Sequence, residues 1–85
     1  MKHAREDYNR IQDPGHKIPE GEPVFLLRGQ DINAPLVVEY WAGLAKKVGA
    51  EENIVQAAIE QSSAMRRWQN EHGAKIPDLP PHDMY

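Results

Sequence analysis

Arg28, Gln30 and Asp31 are the residues of this sequence whose types and spacing could do chemistry. They follow a short apolar run, Val24–Leu27, and stand just before a predicted helix. A guanidinium offers a planar fork to a phosphate or carboxylate, and Gly29 allows close approach of backbone to a ligand. The amide and carboxylate can hydrogen-bond the edge of a base or a ribose hydroxyl, and a helix N-terminus adds unpaired N–H groups. The segment predicts a site for a small anionic ligand such as a nucleotide.

The same segment also has a structural interpretation. Arg28 could pair with a nearby carboxylate, while Asp31 or Asn33 caps the helix. The residues match neither a P-loop nor a dinucleotide-binding glycine pattern. Both interpretations stay open from the sequence.

Three further residues, Arg66, Tyr8 and Lys17, are weaker candidates for the same ligand site. Arg66 and Arg67 are adjacent on a predicted helix and therefore diverge by about 100°, so they do not form one fork. Arg66 flanks the apolar face, where it could reach across a subunit boundary. The alternative is that both arginines interact with the helix dipole and neighbouring glutamates.

Composition excludes several classes of function. The chain has 85 residues, no cysteine, and a net charge of -3, which argues against bulk coating of nucleic acid. Its four histidines show no metal-ligand spacing and no nucleophile motif surrounds its serines, so we expect no metal, no cofactor and no enzymatic activity. No apolar stretch is long enough for a membrane span and the N-terminus lacks an apolar signal region, so we expect neither a membrane span nor a secretory signal.

Two helices must position the candidate residues, over about 34–48 and about 51–71. Pro35 suits a first helical turn, and Gly49 and Gly73 are placed to end the two helices. The connection between them is only two or three residues long, which predicts an antiparallel hairpin.

The apolar faces of both helices are wider than one partner helix can cover. Their predicted central residues are Val37, Trp41, Leu44 and Val48 in the first helix, and Ile54, Ala58, Met65 and Trp68 in the second. The uncovered surface predicts a homo-oligomer, as a four-helix arrangement or a higher ring. The alternative is a compact monomer whose core is completed by the extended segments and the N-terminus.

We therefore predict a mostly α fold, an antiparallel helical hairpin with an N-terminal extended strap or short strand, assembled as an oligomeric bundle. The N-terminus, 1–10, is predicted to be flexible or a short helix. A single domain is expected over 11–73, with the strap at 11–33. The tail at 74–85 is rich in proline and predicted to be extended.

The chain resembles a group of small uncharacterised phage and prophage proteins over most of residues 8–70. The matching stretches are RIQDP at 10–14, IPE at 18–20, EPVFLLRGQD at 22–31, Ala34-Pro35 and Trp41-Ala42. The resemblance implies a cytoplasmic accessory protein of a bacterial virus and no particular chemistry. In architecture alone, the predicted hairpin is similar to small phage proteins that sequester cyclic nucleotide signals between subunits, and this similarity carries over no residue.

Two functional hypotheses follow. The first is a non-enzymatic phage accessory protein of the anti-defence type, which sequesters a small anionic ligand, such as a nucleotide immune signal, at a subunit interface. The second is a protein inhibitor or adaptor that binds a host macromolecule through its helical face.

Overall fold

The computed structural model describes residues 2–5 and 13–78, which fall into two compact units. Leu27–Asp78 forms one unit, and residues 2–5 with 13–26 belong to the other. The candidate Tyr8 lies outside the described residues. The predicted domain boundaries near residues 10 and 73 stay predictions.

The unit that contains residues 13–26 carries a minimal parallel sheet. Strand β1, Lys2–His3, pairs with strand β2, Pro23–Val24, in the register Lys2 with Pro23 and His3 with Val24. The chain is thus extended at Lys2–His3, where a flexible or short helical stretch is predicted from the sequence. Only the first residue of the apolar run joins the sheet, and Phe25 is 73% exposed.

A tight turn at Asp13–Ile18 precedes this strand, as the Pro14-Gly15 pair predicts. The Asp13 carboxylate accepts the backbone N–H groups of Lys17 at 3.0 Å and Ile18 at 2.8 Å. Its carbonyl accepts the N–H of His16 at 3.0 Å. Asp13 therefore holds the turn closed and fixes the backbone of the candidate residue Lys17, whose side chain is exposed.

The unit of residues 27–78 is the predicted helical hairpin. Helix α1 spans Ala34–Lys47 and helix α2 spans Glu52–His72, each within one residue of its predicted bounds. Pro35 lies in the first turn of α1. Gly49, at φ 82°, and Gly73, at φ 89°, follow the ends of the two helices in conformations that favour glycine. Neither helix combines the length and apolarity needed to cross a membrane.

Small residues make the contact between the helices. The centre of the core is Ala42, Ala45 and Val55, against which Ala50 and Ala58 pack. Ser62 is 1% exposed, and its hydroxyl donates to the Ile59 carbonyl at 2.7 Å, so the buried polar group is satisfied. Small side chains allow the two helix backbones to approach closely.

The predicted central residues of the apolar faces are therefore right in part. Met65 is buried and Ala58 packs against the core as expected, but Val55 and Ser62 take the place of Ile54 and Trp68, which are each 49% exposed. In α1 the buried positions are Ala34, Pro35, Ala42 and Ala45. The predicted stripe of larger side chains lies about 100° around the helix from the buried stripe, which corresponds to one residue. Its members, Val37, Trp41, Leu44 and Val48, are between 44% and 84% exposed.

Candidate functional site

An open groove lies between the segment that precedes α1 and one side of α2. It has a volume of about 360 Å³ and is lined by Leu27, Arg28, Gly29, Gln30, Gln61, Ala64, Met65 and Trp68. Two of the residues predicted from the sequence, Arg28 and Gln30, are in this lining. The groove brings one cation, two amides and one large aromatic ring to a common surface.

Gln69 holds the wall of the groove that carries Arg28 and Gln30. Its amide Nε2 donates to the carbonyl of Gly29 at 2.8 Å and to the carbonyl of Asp31 at 2.8 Å. An amide NH₂ has two protons, so both bonds can form together. One half-buried side chain of α2 thus fixes the backbone on both sides of Gln30.

The chain beyond α2 holds the same wall from a second direction. After Gly73 the chain turns back, and Lys75 forms a parallel bridge with Asp31. The Lys75 N–H donates to the Gln30 carbonyl at 2.7 Å, and the Ile32 N–H donates to the Lys75 carbonyl at 2.9 Å. The groove wall is therefore anchored by main-chain bonds to a segment more than 40 residues away in the chain.

Gly29 lets this wall approach α2 closely. A Cβ atom built at Gly29 would lie 3.6 Å from Met65 Cγ and 3.9 Å from Met65 Cα. Those are ordinary van der Waals distances, so an alanine fits but a longer side chain would have to displace Met65 or enter the groove. The sequence suggested that Gly29 lets the backbone approach a ligand closely. In the structure, the backbone at Gly29 approaches α2 instead.

Arg28 is exposed, and its side chain makes no hydrogen bond or ion pair with another described residue. A guanidinium without a carboxylate partner keeps its full charge and all five N–H donors for a ligand. The pairing of Arg28 with Asp31, which the sequence left open beside pairings with Glu20 or Glu22, is not formed.

Asp31 does follow the structural interpretation. Its Oδ1 atom accepts the N–H of Asn33 at 2.8 Å, and its carbonyl accepts the N–H of Ala34 at 2.9 Å. Asn33 takes the N-cap position of α1 but makes no side-chain cap bond. Asp31 shapes the entry into α1 and is not part of the groove lining.

Arg66 is engaged elsewhere. Its Nε and Nη2 atoms donate to Glu39 Oε1 at 3.1 and 2.7 Å, joining α2 to α1. Both side chains are 40–49% exposed, and an ion pair in that setting contributes little to stability. Arg66 lies outside the groove lining, and Lys17 belongs to the other compact unit.

Trp68 is a groove residue for which the sequence favours a place in the core over stacking on a base. Its ring stacks on the imidazole of His72 at a centroid distance of 3.8 Å and an interplanar angle of 18°. The spacing of Trp68 on α2 indicates a core residue, but the indole is half exposed in the groove. The four-residue spacing from Trp68 to His72 was the available signal, since residues four apart are neighbours on a helix surface.

Within residues 2–5 and 13–78, no group of three or more histidines or carboxylates could hold a metal ion. The described residues of the groove lining offer positive charge, amide hydrogen bonding and an aromatic surface. No protein-family model, curated protein or solved structure matches the chain.

Proposed function

We propose that this protein is a non-catalytic binding protein that holds a small anionic ligand in the groove beside Arg28. The observation that carries the proposal is the Arg28 guanidinium, which pairs with no residue of 2–5 or 13–78, in the lining of a groove that also presents the Trp68 ring. A guanidinium binds phosphate through two parallel hydrogen bonds, and an indole stacks on a planar base. A nucleotide combines both chemical groups.

The size and polarity of the groove support the same class of ligand. Its volume of about 360 Å³ lies at the lower end of the range for small-molecule sites, about 300–1,000 Å³. Gln30 and Gln61 offer both hydrogen-bond donors and acceptors, which suits the edge of a base. The described residues of this lining include no acid–base group, which supports binding without turnover.

The biological setting is part of the proposal. The resemblance to small phage proteins supports an accessory role in the host cytoplasm. The architectural similarity to phage proteins that sequester cyclic nucleotides supports the anti-defence type, in which the protein sequesters a nucleotide immune signal. As in our sequence-based hypothesis, the ligand would be held at an interface between subunits of a homo-oligomer.

A titration with linear and cyclic nucleotides, followed by tryptophan fluorescence and calorimetry, tests the proposal. Arg28→Ala should weaken binding roughly 10- to 100-fold, since a charged hydrogen bond contributes about 1.5–3 kcal/mol. Arg67→Ala is the matched control, because Arg67 is an exposed arginine of α2 outside the groove lining. Equal affinities for the wild type and Arg28→Ala would remove Arg28 from the site.

Native mass spectrometry of the purified protein before and after denaturation provides an independent readout. A small molecule that is released on unfolding, with the mass of a nucleotide, supports the proposal directly. If the protein retains no small molecule and also binds no nucleotide in the panel, the proposal is refuted.

The alternative function is an inhibitor or adaptor of a host macromolecule. The specific observation in its favour is the exposed stripe of large apolar side chains on α1, which includes Tyr40 at 71% and Val48 at 84% exposure. A stable monomer that binds a host protein, and loses that binding on Tyr40→Glu, would favour this function over ligand sequestration.

A further inference from the structure

One side of α1 carries a set of large apolar side chains that stay exposed. We define this set as the α1 apolar face. It consists of Leu36, Val37, Tyr40, Trp41, Leu44 and Val48, which are 44–84% exposed. We propose that the α1 apolar face is the contact surface for a second copy of this chain, and that two copies pair about a two-fold axis.

The α1 apolar face lies on one defined side of the hairpin. The Glu39–Arg66 ion pair joins the helices on the other side. At about 100° per residue, Val37, Trp41, Leu44 and Val48 lie roughly 140–180° around α1 from Glu39, whereas Tyr40 lies about 100° and Leu36 about 60° from it.

On α2, the side turned away from that ion pair carries both apolar and polar residues. Ile54 and Trp68 lie roughly 120–160° around the helix from Arg66, and Gln61 and His72 lie at similar angles. Ile54 and Trp68 are each 49% exposed, but Trp68 lines the groove. We therefore restrict the proposed contact surface to the α1 apolar face.

The area of the face matches what a stable dimer needs. Large apolar and aromatic side chains present about 150–250 Å² each when fully exposed, so the six residues offer roughly 750 Å² at their observed exposures. Each partner of a standard specific interface buries about 800 Å². The two values agree without any contribution from α2.

The charge pattern favours a second copy over a charged partner. The α1 apolar face contains no carboxylate, and the charged residue on its edge is Lys47, in the last turn of α1. A two-fold axis near the middle of α1 places the two Lys47 side chains at opposite ends of the contact. Two copies can therefore meet without like charges facing each other at the centre.

The test compares two matched substitutions by light scattering coupled to gel filtration, with sedimentation velocity as a second measurement. Leu44→Glu places a charge in the face, and Ile59→Glu places the same charge at a residue of equal exposure, 43% against 44%, on the side of the ion pair. Helical circular dichroism verifies folding. Tyr40→Glu replaces Leu44→Glu if the latter does not fold.

We expect the wild type to have about twice the 9.7 kDa mass of one chain, and Ile59→Glu to behave in the same way. Leu44→Glu should raise the dimer dissociation constant at least about tenfold. A wild type that stays monomeric up to about 1 mM would overturn the proposal. An assembly that Leu44→Glu leaves intact would also overturn it. A monomer that instead binds phosphatidylcholine vesicles through this face would do the same. These readouts measure mass and not nucleotide binding. A monomer that binds nucleotide overturns the dimer alone, whereas a dimer that binds no nucleotide overturns the ligand site alone.

Discussion

Gln69→Met tests whether one side chain of α2 holds the groove wall. The substitution keeps the length and helix propensity of glutamine but removes both N–H donors. The Asp31 carbonyl keeps its bond from the Ala34 N–H at 2.9 Å, whereas the Gly29 carbonyl loses its bond to Gln69. The loss in free energy of unfolding therefore comes mainly from the missing hydrogen bond to the Gly29 carbonyl.

The expected loss follows from the two bonds. Each hydrogen bond contributes about 0.5–1.5 kcal/mol net, so we expect the free energy of unfolding to fall by about 2 kcal/mol. For a chain of this size, that corresponds to a decrease in Tm of roughly 8–16 °C. Circular dichroism during thermal and urea unfolding measures the change, at one fixed protein concentration, because oligomerisation makes Tm depend on concentration.

Gln56→Met is the matched control. Gln56 lies on the exposed side of α2, and its amide contacts Glu60 at 3.5 Å. We expect its free energy of unfolding to stay within about 0.5 kcal/mol of the wild type. If Gln69→Met also loses less than about 0.5 kcal/mol, the anchoring of Gly29 and Asp31 by Gln69 is not a significant source of stability.

Three further substitutions test other parts of the hairpin by the same unfolding measurement. Gly73→Ala should cost about 1–3 kcal/mol, because φ 89° and ψ 157° lie in a region that is essentially restricted to glycine; an unchanged Tm would contradict that backbone conformation. Ala42→Leu should cost about 1–3 kcal/mol by overpacking the contact of α1 with α2, and a gain in stability would show that space exists there. Glu39→Gln should cost less than about 1 kcal/mol, because its ion pair with Arg66 is exposed, and a larger loss would mean that the pair is more important than its exposure implies.

The helices of this fold were predictable because their end signals are local. Pro35, Gly49 and Gly73 mark helix ends by their own backbone preferences, and the short connection leaves an antiparallel hairpin as the simplest arrangement. The hairpin and both sets of bounds were confirmed within one residue.

The side of each helix that is buried was not predictable from periodicity. The apolar residues of α1 cover more than half of its circumference, so several rotations of the helix bury a stripe of similar hydrophobicity. The structure selects the stripe of small residues around Ala42 and Ala45, which permits close helix approach, and leaves Trp41 and Leu44 exposed. Hydrophobicity alone does not distinguish these two stripes, because side-chain size decides between them.

The candidate site was predicted in part, for a similar reason. Arg28 and Gln30 were identifiable because they are near one another in the chain and next to a helix start. Trp68 and Gln69 join them from about 40 residues away, and nothing in the local sequence indicates that contact. Asp31 was assigned to a ligand, but its short side chain bonds to the nearby Asn33 N–H, as aspartate commonly does in turns.

The hydrogen bond from the Lys75 N–H to the Gln30 carbonyl also has a consequence for the order of events during synthesis. Lys75 is made 45 residues after Gln30, which takes roughly 2–9 s at about 5–20 residues per second. The bond that anchors the groove wall needs a residue that follows both helices in the chain. The groove wall is therefore the last part of the unit of residues 27–78 that can be completed during synthesis.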